Sequence, residues 1–506
     1  MYVWPWKNCE DPDTDVTYAV AGQGVAHGSP VSGGPPTDLG KFLIDRLPRQ
    51  AVLLPGDAGY DDRRKTFNPR FDDIHPAAVV LCTGEGDVRV CLDAVRTLDI
   101  PFRIRARGHS LCGFSSVDGG LVIDLSGMNR IQIDDAAMEA VVQSGSTLKA
   151  LGDQLNDRGF MLPLGGDPVG VAGFVQGGGF GTTSRTFGMH SDHVVSIRVM
   201  LSDGSVVRAS ETRNHDLWWA CRGGTGGNFG VLLEVRYRLH PLAERHSWSM
   251  SWRVHGLANQ NVAVRALLAW QNDVVLSSGP ELNTGADLRY WPDADGAKPS
   301  TMRLSIYGTY FGTAQEASDA VQPLAKIEGQ ESFDRHFYRM LPVVRQSRLV
   351  SGPTKQGWES IVGSFVEKAN PYSTLTVDAW GGMINAYPPE RSAFIHRTAT
   401  FNIYATGFWS DTGDEQQMRA YLSAWRENVA PFWNGGIYQN FADSDCPAFT
   451  LNYWGKAYPA LVAVKRKYDP SCRFKFAQMI SVPGESAPPV SWPPLVKKWL
   501  EMPIEP

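Results

Sequence analysis

From residue 76 onward the apolar positions change period along the chain, and each change predicts an element. Residues 77–82 form a continuous apolar run, the signature of a strand buried on both faces. Thr83-Gly-Glu-Gly-Asp then opens a helix whose apolar stripe is Val88, Cys91, Leu92 and Val95, spaced three and four apart. Residues 121–125 and 140–143 read as strands, and residues 147–158 as a helix. Residues 194–201 read as a strand that turns back at Asp203-Gly204 into Val206-Val207-Arg208. Near Pro241 the pattern changes. Ser247-Trp-Ser-Met-Ser-Trp-Arg253 alternates strictly, with Trp248, Met250 and Trp252 on one face and serines on the other. Residues 303–309, 374–380 and 401–406 alternate too. Such alternation predicts an antiparallel sheet with one face on a core and the other free to line a pocket. Between the strands, residues 414–429 carry Met418, Tyr421, Leu422 and Trp425 on one helical stripe. The expected fold class is α+β.

Composition narrows the function. A chain of 506 residues that is 43% hydrophobic can bury two or three cores. Charged residues make up 20%, the formal net charge is −5, and no basic block stands out, so nucleic acid is not an expected partner. No run of 18 apolar residues occurs, so no membrane span is expected. Met1-Tyr-Val-Trp-Pro-Trp-Lys lacks a basic start followed by an apolar stretch, and the expected location is cytoplasmic. The cysteines at 9, 82, 91, 112, 221, 446 and 472 are odd in number and never spaced as C-x-x-C. They read as reduced, mostly buried hydrophobes, with no metal site. Residues 1–60, rich in Gly and Pro, are expected to wrap the surface as an extension.

Two loops carry the chemistry. Arg105-Ala-Arg-Gly-His-Ser-Leu-Cys-Gly113 embeds a histidine among glycines, and Gly177-Gly-Gly-Phe-Gly181 follows about 70 residues later. Glycines let backbone N–H groups crowd around a phosphate with no Cβ in the way. In this order the loops resemble the flavin-binding domain of the vanillyl-alcohol oxidase superfamily. Among its members, the chain is most similar to the berberine bridge enzyme group of FAD-linked oxidoreductases. The resemblance runs from about residue 60 to 485. It includes Phe67-Asn-Pro-Arg70, Arg185-Thr-Phe-Gly188, Leu217-Trp-Trp-Ala-Cys-Arg-Gly-Gly-Thr-Gly-Gly-Asn-Phe-Gly-Val231, Asn452-Tyr-Trp-Gly455 and Tyr468-Asp-Pro470. A plain G-x-G-x-x-G fingerprint is missing, which disfavours NAD.

The resemblance implies a two-part FAD-binding domain of the PCMH type over residues 61–240, with a C-terminal return over 433–490. It also implies a substrate domain over 241–432, whose antiparallel sheet is backed by helices, and a tail over 491–506. His109 matches the histidine that bonds the flavin 8α-methyl. Many relatives add a second bond from a cysteine, but that position here is Gly166, so one covalent bond is expected. The amides of Arg105, Arg107, Gly108, Ser110 and Gly113 are expected to cradle the pyrophosphate. Gly170, Gly173, Gly177, Gly178 and Gly179 are expected against the ribityl chain and ring. Gly227, Asn228 and Val231 match adenine and strand contacts, and Asn440 matches a polar position facing the flavin. Val169 stands where a small residue goes with oxidases and a leucine with dehydrogenases.

The implied reaction passes a hydride from a mid-sized natural product to FAD, with O2 as acceptor and H2O2 as product. The proton-removing group is expected at Tyr438 or Tyr404, with Asn402 beside Tyr404 and with Glu367 or Asp378 next in line. A tyrosine with an ordinary pKa near 10 acts as a base only where its surroundings lower it. Two other readings stay open. One is an oligosaccharide oxidase with Trp248, Trp252, Trp380 and Trp409 as sugar platforms. The other is a cyclase or isomerase that uses the scaffold without net redox.

Overall fold

The apolar runs of the first third cannot face water on either side, and the chain buries them in a parallel sheet. In the computed structural model, which describes residues 36–166, 168–292, 299–332 and 341–482, strands Ala78–Leu81, Leu121–Asp124 and Phe102–Arg105 lie parallel. Val52–Leu53 adds an antiparallel edge. Helix Glu85–Leu98 covers this sheet with Val88, Cys91, Leu92 and Val95, the stripe expected from the spacing. Leu39 and Leu43 enter the same core, so residues 36–53 pack into the sheet instead of merely wrapping it. Residues 1–35 of the N-terminal extension, with Cys9, as well as Asp167 and the tail at 491–506, lie outside the described residues.

A second, antiparallel sheet follows in the order Ile131–Asp134, Glu139–Gln143, Val231–Arg238, Val194–Met200, Val206–Ser210. The Asp203-Gly204 turn forms as expected: Gly204 takes φ +85° and the Ser205 amide donates to Asp203 Oδ1 at 2.9 Å. Helix Leu148–Asp157 begins where Thr147 Oγ1 accepts from the Ala150 amide at 3.1 Å, a side-chain cap on an otherwise orphaned N–H.

Beyond Pro241 the alternating segments form one six-stranded antiparallel sheet. Its spatial order is Arg245–Arg253, Thr301–Phe311, Leu282–Trp291, Thr374–Ala379, Phe401–Phe408, Val343–Val350. Trp248, Met250, Trp252, Leu304, Ile306, Leu375, Val377 and Ile403 pack toward helices Gly256–Ala269, Lys355–Lys368 and Thr412–Val429. Period two leaves the intervening polar residues on the opposite face. The fold is α+β, with a helix-backed antiparallel sheet set against two smaller sheets.

The tryptophans correct one expectation. Trp248, Trp252 and Trp409 belong to the helix-side core, and Trp380 is buried in a separate cluster with Phe394 and Tyr438. None of the four is available as an exposed sugar platform. The six described cysteines are free, and no helix among the described residues is long and apolar enough to cross a membrane.

The chain then returns to the second sheet. Helix Tyr458–Tyr468 places Leu461, Val464 and Tyr468 in its core. Lys465 on this helix is fully buried. Its Nζ lies 2.6 Å from Asp469 Oδ2 and donates to the carbonyls of Asn228 at 2.6 Å and Phe474 at 2.8 Å. Removing the ammonium alone leaves the buried Asp469 carboxylate without its counter-charge, held among the described residues only by the Arg473 and Phe474 amides. Lys465→Met is therefore expected to lower unfolding stability by about 3–5 kcal/mol, measured by urea unfolding, whereas an exposed Lys149→Met changes it little.

Candidate active site

The polar face of the six-stranded sheet closes over the two smaller sheets and leaves one cavity of about 800 Å³ between them. That volume is near the upper end of the roughly 300–1,000 Å³ typical of small-molecule and cofactor sites. The sheet contributes Asp287, Arg289, Tyr307, Asp378, Tyr404 and Arg345 to its wall. The smaller sheets contribute loops. Residues 106–111 enter after strand Phe102–Arg105, and residues 164–166 and 169–170 lead into helix Val171–Gln176. Residues 225–227 follow helix His215–Ala220.

Gly108 turns the first loop with φ +69°, and His109 comes to line the cavity with its ring stacked on Phe67 at 3.8 Å. Burial, with the Arg345 charge second, holds the His109 pKa down to about 4. The imidazole is neutral at pH 7 and has a lone pair to offer. Val169 also lines the cavity, its backbone fixed by the Leu148 amide donating to its carbonyl at 2.9 Å. Gly166 lines it nearby, and no described cysteine does so.

Of the glycines expected at the cofactor, Gly108, Gly170, Gly173 and Gly227 line the cavity, as do Arg107 and Ser110. Gly173 is open, with no atom within 4 Å of where a Cβ would stand. Gly177, Gly178 and Gly179 correct the expectation. Their missing side chains make room for Asn440, for Phe394, and for His190 and Phe174. They allow close packing beneath the cavity and do not face it. Arg105 likewise points away, donating to the Ser115 carbonyl at 3.3 Å and lying 4.0 Å from Asp124. Gly113 makes room for Phe71, Asn228 is buried beneath its loop, and Val231 sits in the core of the first sheet.

At the sheet, strand register assembles an acid–base cluster. Asp378 pairs across from Asn402, and Tyr404 pairs across from Thr376 and Ser347. Asn402 and Tyr404 flank the Asp378 carboxylate and favour its ionised form, though Asn402 Nδ2 itself makes no hydrogen bond to the described residues. Asn402 Oδ1 is held by the Ser347 hydroxyl at 2.6 Å. Burial pushes the Asp378 pKa up to about 7, against the opposing pull of Arg345. Burial raises Tyr404 well above its ordinary value, as does the neighbouring Asp378 charge. Tyr438 does not lie on a strand; it precedes the 3-10 turn Gln439–Phe441. Its hydroxyl oxygen accepts from the Phe180 amide at 2.7 Å and from Asn440 Nδ2 at 3.0 Å, and burial still raises its pKa. Glu367 lies on the exposed side of its helix, away from the cavity.

The residues present suit a long, flat, partly polar ligand such as FAD. Ser115 and Thr183 line the cavity with buried hydroxyls that no protein group engages. Phe114 and Phe476 pair at 5.3 Å at one end, and His109 stands at another part of the wall. Comparison with known proteins agrees. An FAD binding domain family matches residues 76–210, and a family described as berberine and berberine like matches residues 437–481. The uncharacterised FAD-linked oxidoreductase YvdP of Bacillus subtilis is 29% identical over 451 residues, covering 85% of this chain and 97% of that protein.

The chain is a berberine-bridge-enzyme-like, FAD-linked oxidoreductase.

Its fold matches that of Physcomitrella patens BBE-like 1 with TM-score 0.78 at 24% identity, over 88% of this chain and 99% of the other. A glucooligosaccharide oxidase of Sarocladium strictum is 31% identical over 288 residues, 54% of this chain and 52% of that protein.

Sequence reasoning passed over Arg345 and ranked Asp378 behind the tyrosines. The signal for Arg345 was present in Val343-Val-Arg-Gln-Ser-Arg348, where alternation puts Arg345 and Ser347 on one face. What the sequence lacked was the register that sets this face beside Tyr404 and Asp378. The open position at Gly173 gives a direct check on the cavity. Gly173→Leu should fold with near-normal circular dichroism, because leucine suits a helix, yet lose most of its bound FAD in the 450 nm to 280 nm absorbance ratio.

Proposed function

We propose that this enzyme is an oxidase that acts on an alcohol, amine or activated C–H of a mid-sized natural product. Bound FAD supplies a two-electron acceptor for a hydride from the substrate carbon, and O2 takes up the electrons to give H2O2. The observation that carries the reading is the Asp378 carboxyl, buried on the cavity wall with a pKa near 7 and set between Tyr404 and Asn402. A group poised near the working pH is an effective acceptor for the proton that leaves with the hydride.

Each side chain then has a part. Asp378 accepts the substrate proton, directly or through the Tyr404 hydroxyl at its side. Asn402, braced by Ser347, leaves its Nδ2 without a partner among the described residues beside the carboxylate, free to donate to substrate. Tyr404 acts as donor, because its phenol stays protonated. Tyr438, whose oxygen already accepts two hydrogen bonds, shapes the wall beside Asn440. His109 would hold FAD by a single covalent bond, since its imidazole is neutral and no described cysteine reaches the cavity. Val169, small and on the cavity wall, leaves O2 a path. The hydroxyl-rich sheet face also favours a polyhydroxylated substrate, and the glucooligosaccharide oxidase among the relatives lends weight to a sugar. Among the described tryptophans, Trp291 alone lines the wall as a stacking surface for one.

Three outcomes test this. Acid-denatured protein should stay yellow, with the flavin mass on the peptide containing His109; a colourless precipitate with free FAD in the supernatant contradicts the single bond. Substrate added without air should bleach the flavin, and air should then restore it with peroxide. Val169→Leu should slow only the second half. Product formed with neither bleaching nor peroxide would point to the non-redox reading. Asp378 is active when ionised, so the rate of flavin reduction should rise with pH through about 7 and level off above it. Asp378→Asn should lower that rate by roughly 10²- to 10⁴-fold and remove the inflection, while Tyr438→Phe leaves the inflection in place.

A further inference from the structure

The charges on the cavity wall do not balance. Asp287 is engaged: it pairs with Arg289 and accepts from the Thr376 hydroxyl at 3.0 Å. Arg345 is different. Its Nε donates to Thr406 Oγ1 at 3.0 Å, and this is the guanidinium's one hydrogen bond to the described residues. No carboxylate among the described residues lies within ion-pairing distance of it. Two ring faces hold the group flat, Phe441 at 4.5 Å and Tyr404 at 5.0 Å from the guanidinium carbon. Arg345 lines the cavity wall with Asp378 and Tyr404, and no protein group among the described residues engages its terminal nitrogens.

A guanidinium withdrawn from bulk water, with no carboxylate among the described residues at ion-pairing distance, is costly unless a ligand offsets it. The Asp378 carboxyl, half protonated near neutral pH, is a partial counter-charge at best. Arginine presents two parallel N–H donors that match a carboxylate, and the neighbouring Tyr404 and Phe441 rings restrict where that fork can swing. The phosphates of the cofactor do not explain it. The glycine loops that suit them lie on the smaller sheets, whereas Arg345 stands on the six-stranded sheet.

We propose that the substrate of this enzyme carries a carboxylate, which Arg345 takes through its two terminal nitrogens. The inference rests on the reading above that the polar sheet face is the substrate side. It narrows the substrate class to acids, and it makes Arg345 the residue that selects them over neutral analogues.

The test uses the flavin as reporter and needs no turnover. Holoenzyme is titrated in air with matched pairs, benzoate against benzamide and gluconate against gluconamide, while the visible flavin spectrum is followed. At least one acid should bind about tenfold or more tightly than its amide, the difference expected for one charge-assisted pair. Arg345→Gln should erase that preference. Arg345→Lys, which keeps the charge without the fork, should retain part of it. Wild-type enzyme with no acid-over-amide preference, including no response to either pair, overturns the proposal. So does a preference that survives undiminished in Arg345→Gln, even if that variant shifts the flavin potential. Absence of peroxide alongside a clear acid preference would count against the oxidase reading and leave the carboxylate site standing.

Discussion

A buried guanidinium and a buried amide hold the polar sheet face against the flavin loops, and the cavity exists because of them. Arg185, next to the second glycine loop, donates from Nε to the Leu282 carbonyl at 2.7 Å and also reaches the carbonyls of Trp380 and Gly279. Its own amide donates to Asn283 Oδ1 at 2.9 Å. Asn68 does the same beside the histidine loop, donating to the carbonyls of Leu111 and Val343 and accepting from the Val343 amide. Buried backbone carbonyls need donors, and these two side chains meet that need across the gap between sheets. They fix separation and register without filling the space between with apolar side chains.

The chemistry follows from that enclosure. Water is limited, so a carboxyl at Asp378 holds its proton to about pH 7 and an imidazole at His109 is already neutral above about pH 4. One environment thus yields a proton acceptor on the sheet and a neutral nucleophile on the loop. Arg345 contributes to both: its charge lowers the pKa of Asp378 and of His109 in the same direction. The group proposed to select an acidic substrate also tunes the two residues proposed to act on substrate and cofactor.

Much of this was legible in the chain. The continuous run at 77–82 became a parallel strand, and the alternation at 247–253 became a sheet with a helix-side face of tryptophans. The histidine loop and Asn440 do face the cavity. What failed shares one cause. Gly177 to Gly179 were expected against the ribityl chain and ring because glycine permits close approach, but the sequence does not say what approaches; here it is Asn440, Phe394 and His190. The tryptophan platforms failed for the same reason, since alternation gives two faces and not which one meets the ligand. Asp378 and Arg345 needed cross-strand register, which a single sequence does not carry.

The central claim is that the cavity orients the cofactor, with its reactive ring where His109, Asp378 and Tyr404 converge and its adenine toward residues 225–230. A crystal structure of the holoenzyme measures this most directly. The account predicts density continuous from the His109 ring into the flavin, no bridge at Gly166, and the adenine near Gly227 and Phe476. FAD lying in the opposite sense, or with its ring remote from Asp378, would contradict it.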